Sequence, residues 1–206
     1  MLAAAPAILG EVNDKLLWYA TRGAGTVSLV LLSAVVALGL LARARVDAPG
    51  WPRFLTVALH RDLSLLALVF LALHIVTAVV DPFTHLGITA ATVPFGSYYR
   101  TVWLGLGTIA VELTVAVVAT SLLRHRIGAR AWRGVHWLAY AAWPLALLHG
   151  LGTGTDAFTR WMLGITVVCV ATVLGAAAWR VLSPGDPLGA ERRAAAVTAS
   201  GGGASR

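Results

Sequence analysis

A chain of 206 residues that is 58% hydrophobic and only 12% charged is too apolar for an ordinary soluble domain, and its long apolar runs imply a lipid bilayer as surroundings. The net charge of +7 comes from arginines that flank those runs instead of forming a basic stripe with interleaved aromatics, which excludes a nucleic-acid partner. The single cysteine, Cys169, excludes an intramolecular disulfide and a cysteine-ligated iron–sulfur cluster.

Met1–Gly10 lacks a basic leading region, and Pro6 breaks its apolar stretch, so a cleaved signal peptide is not expected. Glu11–Arg22 mixes polar and apolar residues around Trp18 and Tyr19, and residues 1–22 are expected to form an interfacial helix at the membrane surface. Five apolar segments follow, at 24–41, 54–80, 102–123, 133–151 and 160–181, each about long enough to cross a bilayer. They predict an all-α integral membrane bundle of five transmembrane helices within residues 23–182, since barrel strands would alternate polar and apolar positions. Trp51, Trp103, Trp132, Trp161 and Trp179 fall near the ends of these segments, at headgroup level. The tail, residues 183–206, is rich in Pro, Gly, Ala and Ser and is expected to be disordered.

Arginines cluster in the first link, in the link between the third and fourth segments, and in the tail. The opposite side carries only Lys15, Arg22, Arg100 and Arg160. A multi-pass protein of the cell membrane with its amino terminus outside and its carboxyl terminus cytoplasmic is the expectation. The link from Asp81 to Arg100 is the longest between segments and is of a length that often covers a site. Gly23-Ala24-Gly25 and Gly105-Leu106-Gly107 lie at or within membrane helices, where small residues favour close packing. No dinucleotide fingerprint stands on a strand–turn–helix frame, so a flavin or nicotinamide donor is expected on a separate partner.

The most informative pattern is a repeat of histidines. His60 and His74 stand at i and i+14 in the second segment, and His136 and His149 at i and i+13 in the fourth. On helices these separations are ~21 and ~20 Å, most of a ~30 Å hydrocarbon core, so each helix offers one imidazole near either face. The two segments run the same way, which matches His60 with His136 on the cytoplasmic side and His74 with His149 on the outer side. The i+14 step returns to within about 40° of the same helix face, but the i+13 step leaves His136 and His149 about 140° apart. Pro144 stands between them, and a distortion there is expected to turn His149 toward its partner. Two facing imidazole pairs are the ligand set of two bis-histidine haems, an electron path with no open position at iron. Bare zinc or copper at each pair is the alternative, weakened because two imidazoles make a poor closed zinc site.

The stretches His60-Arg61-Asp62-Leu63-Ser64 and Arg133-Gly134-Val135-His136-Trp137, with the paired histidines on two helices, resemble a known family. It is the ferric reductase-like transmembrane domain shared by membrane ferric reductases, NADPH oxidases and the haem subunit of the bacterial methionine sulfoxide reductase system, over about residues 20–182. The resemblance implies two b-type haems that pass electrons from a cytoplasmic flavin donor to an outer acceptor. For this chain the expected donor is a separate flavoprotein or a quinol, and the expected outer acceptor is one such as ferric iron. A non-catalytic cytochrome b subunit serving a separate extracytoplasmic reductase, or a metal-ion transporter or scaffold, are the rival readings.

Supporting roles are assigned by position. Trp143, midway between His136 and His149, is a candidate bridge between macrocycles. Arg100 and Arg160 outside, and Arg61, Arg130 and Arg133 inside, are candidate partners for anionic propionates. Phe70 and Trp137 are candidates to pack on haem, His85 to line the outer haem, and His125 reads as solvated. Glu112, halfway along the third segment, is either a carboxyl hydrogen-bonded to a neighbouring helix or a proton-linked group.

Overall fold

The computed structural model describes residues 4–43, 53–82 and 86–182. The expectations placed on His85, Trp51 and the tail 183–206 lie outside the described residues. Within them the chain is helical, without a strand: α1 (Ala4–Arg43), α2 (Arg53–Val80), α3 (Gly87–Thr92), α4 (Thr101–Leu122), α5 (Arg124–His136), α6 (Ala139–Thr153) and α7 (Arg160–Leu182). Four helices are long and apolar enough to cross a membrane, over Lys15–Ala42, Phe54–Val80, Thr101–Leu122 and Arg160–Leu182, and the chain is a multi-pass membrane protein.

Two expectations are corrected here. Residues 11–22 do not form a helix of their own: α1 runs unbroken from Ala4 to Arg43, and its membrane-crossing stretch begins at Lys15. Gly23 and Gly25 cost helix propensity, about 1 kcal/mol each, but neither removes a backbone hydrogen bond, so the ladder continues through them. The fourth expected span, 133–151, is divided: α5 ends at His136, Trp137–Leu138 form a tight turn, and α6 has only 15 residues, about 22 Å. That leaves four long spans among the described residues, not five.

The break differs from the distortion expected at Pro144. It lies upstream of the proline, in a run of i→i+3 bonds from Leu138 to Val135 (2.9 Å), Tyr140 to Trp137 (3.0 Å) and Ala141 to Leu138 (3.0 Å). A 3₁₀ turn advances about 120° per residue against 100° in an α-helix, so roughly six tightened residues recover most of the ~140° by which His136 and His149 fall out of line. Overwinding ahead of the proline turns His149 in the direction that the register needs.

α1 is the central helix. It packs along α2 on one side and against α7 and α6 on the other, while α4 packs against α6. The core is built where three helices meet: Val36, Ala37 and Leu40 of α1, Trp143 of α6, and Val173 and Ala176 of α7. Outward-facing positions such as Val69, Val76, Val115, Val167 and Val168 remain apolar and exposed, as lipid-facing residues are. At one end, Arg22 of α1 donates 2.6 Å to Asp156 and 2.7 Å to Thr155 in the turn between α6 and α7. Nearby, Arg100 donates to the Gly152 carbonyl, and the Trp103 ring fills the place a side chain at Gly152 would need. α2 is thus held mainly through α1, and the space between α2 and the α4/α6 pair forms a cavity.

Candidate functional site: two tiers of paired histidines

The cavity has a volume of about 390 Å³, within the range of cofactor sites, and all four paired histidines line it. His60 of α2 and His136 of α5 have ring centres 6.3 Å apart with planes at 62°. His74 of α2 and His149 of α6 have centres 6.2 Å apart with planes at 80°. A second cavity of about 120 Å³ is also bordered by His74 and His149, with Ile75, Gly87, Gly107, Thr108 and Val111 among its other lining residues. These two imidazoles therefore border both cavities.

Three of the four rings are tied to backbone. Nδ1 of His74 donates 2.8 Å to the Thr21 carbonyl, Nδ1 of His60 donates 3.0 Å to the Val35 carbonyl, and Nδ1 of His149 donates 2.9 Å to the Trp103 carbonyl. A carbonyl can only accept, so each Nδ1 carries the proton and each neutral ring keeps its lone pair on Nε2. Such bonds fix ring orientation and raise the ring's basicity as a metal ligand.

Glycines make these bonds sterically available. Each of the three carbonyls is followed one helical turn later, at i+4, by a glycine: Gly25, Gly39 and Gly107. A Cβ at Gly107 would collide with the His149 ring, one at Gly25 would come 2.8 Å from His74 Nδ1, and one at Gly39 would just touch His60 at 3.4 Å. Gly25 and Gly107 read in sequence as helix-packing residues, and Gly39 stands in an apolar run without a mark of its own. The signal that finds them is spacing: Gly39 lies at i+14 from Gly25, the same step that leads from His60 to His74.

Other candidates fall elsewhere. Trp143 does not sit in the cavity between the tiers: it is buried in the core against α1 and α7, with Nε1 donating 2.9 Å to Ser33. Its bond to Ser33 and its packing against α1 and α7 hold it in the core, although Ala139, Tyr140, Ala146 and Gly150 of the same helix line the cavity. Arg100 and Arg133 are exposed and line neither cavity, and the same holds for Arg61, Arg130 and Arg160. Trp137 is exposed beside Tyr140 and Arg180, and neither it nor Phe70 lines the cavities. Glu112 is exposed on α4 with no hydrogen-bond or ion partner among the described residues, so the expected bond to a neighbouring helix is not formed. His125 is exposed and accepts from Arg124.

Among the described residues, Arg22 is the arginine that lines the cavity, beside the carbonyl that holds His74, and its Nε is buried without a partner there. In sequence it reads only as a topology charge. The long link does approach the site: Asp81, Leu86 and Tyr99 line the larger cavity, and Ala90 and Ala91 line the smaller.

Residues 24–147 match the family of the ferric reductase like transmembrane component. The chain belongs to this family. The match runs from the start of the apolar part of α1 to just short of His149, and so takes in three of the four paired histidines. No curated protein and no solved structure matches this ferric reductase-like domain. Membership suggests transmembrane electron transfer, and the paired imidazoles are the feature of this member that such a function would use.

Proposed function

We propose that this ferric reductase-like domain conducts electrons across the membrane by means of two b-type haems, one held by His60 and His136 and the other by His74 and His149. The observation that carries the reading is the ring spacing. Two imidazoles sharing one metal ion, with bonds of roughly 2 Å and roughly 1.1 Å from ring centre to nitrogen, have centres about 6 Å apart, close to 6.3 and 6.2 Å. The fit extends to the donor set. No group of three or more His, Cys, Asp or Glu that could hold a metal ion occurs among the described residues, so each tier offers two protein ligands, as a bis-histidine haem requires and a closed zinc site does not. Each haem, when bound, supplies a one-electron carrier without an open coordination position.

The chain's own residues do the rest. The Thr21, Val35 and Trp103 carbonyls hold three imidazoles as Nδ1–H tautomers and so keep Nε2 available for metal. Leu29, Leu32, Leu68, Leu71 and Leu104 give the cavity apolar walls suited to a macrocycle. Arg22 is the cation suited to an anionic propionate at the His74 tier, in place of Arg100. The arginine distribution supports an amino terminus outside and the His60/His136 tier facing the cytoplasm, where a separate flavoprotein or a quinol would donate. An acceptor such as ferric iron would be reduced on the outer side.

Pyridine haemochrome analysis of the purified chain tests this, with two haems per chain expected. His74→Ala or His149→Ala should each lose one haem, and His60→Ala or His136→Ala the other; equal haem content in all four variants refutes the ligand assignment. Reoxidation of the dithionite-reduced protein by ferric citrate identifies a terminal reductase, and its failure identifies a cytochrome subunit that needs a further protein.

A further inference from the structure

The four histidines are not held alike. His60, His74 and His149 share one device, a backbone carbonyl backed by a glycine one helical turn on. The i+13 step that leads from His136 to His149, taken from Gly107 along α4, reaches Thr120 instead of a glycine. The Thr120 hydroxyl donates 2.7 Å to the Ala116 carbonyl, the one that this register would present to His136. His136 Nδ1 is buried and has no hydrogen-bond partner among the described residues. The ring against it is Trp132, one helical turn earlier in α5, with centres 5.2 Å apart and planes tilted by 35°. The Trp132 Nε1–H in turn donates 3.2 Å to Ser121 Oγ of α4, whose own proton goes to the Val117 carbonyl.

We infer that Trp132, pinned by Ser121, is the positioning residue for His136, and that this contact replaces the carbonyl anchor used at the other three ligands. The inference rests on the bis-histidine reading above. Its chemistry follows from what a carbonyl does to an imidazole: accepting from Nδ1–H pushes electron density toward Nε2, strengthens the bond to oxidised iron and lowers the potential. His136 lacks that push. The His60/His136 tier is therefore the one whose haem affinity and potential depend on an aromatic side chain and on the hydroxyls of α4, whereas the His74/His149 tier depends on backbone alone. A side-chain anchor can be removed by one substitution, which makes the asymmetry testable.

The experiment measures haem per chain at limiting haem, and the two midpoint potentials by spectrally resolved redox titration, on the full chain in detergent. Trp132→Ala should weaken haem binding at the His60/His136 tier by roughly tenfold or more, leaving a single haem with the spectrum and potential that remain in His136→Ala. Trp132→Phe, which keeps a ring but loses the bond to Ser121, should restore the second haem with binding weaker than in the wild-type chain. Thr120→Gly, which frees the Ala116 carbonyl, should lower the potential of that same haem and leave the other unchanged. Trp132→Ala with wild-type haem content and both potentials unmoved overturns the inference while leaving the bis-histidine assignment standing. Loss of both haems together in Trp132→Ala, unrescued by Phe, also overturns it, because Trp132 is then a general fold contact. A wild-type chain without haem overturns the inference together with the reading beneath it.

Discussion

The indole nitrogen of Trp143 donates 2.9 Å to Ser33 Oγ, and the Ser33 proton goes on to the Leu29 carbonyl, 2.7 Å away. Both residues are buried, and this tie joins α6 to α1 at the core where α7 also meets them. A buried hydrogen bond of this type contributes about 1 kcal/mol net, more where its loss strands a donor. Ser33→Ala strands the indole N–H, so it should destabilise by about 1–3 kcal/mol in detergent unfolding. Trp143→Phe removes the donor while Ser33 keeps its bond to Leu29, so beyond the lost ring volume it should be the milder change. Because Trp143 lines neither cavity, both variants should keep the wild-type haem spectrum and both potentials. A shift of either potential in Trp143→Phe would return this residue to the electron path.

The glycines facing the imidazoles should form a graded series. Gly107→Ala drives a methyl into the His149 ring, Gly25→Ala presses at 2.8 Å on His74, and Gly39→Ala makes an ordinary 3.4 Å contact with His60. Displacing a ligand from its orienting carbonyl costs roughly 10–100-fold in metal affinity. Haem content should therefore fall most in Gly107→Ala, less in Gly25→Ala, and little in Gly39→Ala. Gly23→Ala, which meets nothing within 4 Å, is the control. Equal haem content across the series would mean that the rings are not seated against the helix backbone.

How much of the molecule is legible in the sequence depends on which forces leave a periodic trace. A histidine repeated at i+14 in one apolar segment and at i+13 in another is a costly pattern, and it points to the pairs His60/His136 and His74/His149, whose ring centres lie 6.3 and 6.2 Å apart. The orienting glycines Gly25 and Gly39 carry the same period as His60 and His74, but glycine in a membrane helix has a commoner reason to be there, and that reason hides the period. The turn at Trp137–Leu138 is not readable because no residue there breaks a helix. Its i→i+3 bonds rotate His149 toward the face of its i+13 partner His136, a relationship between distant positions that no local residue signals. Trp143 is drawn into the core by Ser33, a partner 110 residues away in sequence, and Arg22 is passed over because its partner Asp156 is likewise distant.

The Arg22–Asp156 pair, at 2.6 Å and with both side chains largely covered, closes the end of the bundle beside the His74 tier. A hydrogen bond to a charged partner contributes about 1.5–3 kcal/mol, more than an exposed pair. Asp156→Ala should therefore destabilise by about that amount, and a double-mutant cycle with Arg22→Ala should give a coupling of the same order. Arg22→Ala should in addition weaken retention of one haem if Arg22 meets a propionate, whereas Asp156→Ala should not. Identical haem retention in the two variants would confine Arg22 to a structural role.

The tightened turn before α6 makes a prediction about length. Inserting one alanine between Trp137 and Leu138 changes the spacing of His136 and His149 from i+13 to i+14, the spacing found in α2. A regular helix of that spacing brings the two rings to within about 40° of one face without any 3₁₀ overwinding. The insertion should thus retain two haems per chain. Deleting Leu138 shortens the spacing to i+12, which places the rings about 120° apart on a regular helix in the opposite sense, beyond what overwinding corrects. That variant should lose one haem. If insertion and deletion prove equally damaging, the turn is needed for some contact of its own, and the register argument for its presence fails.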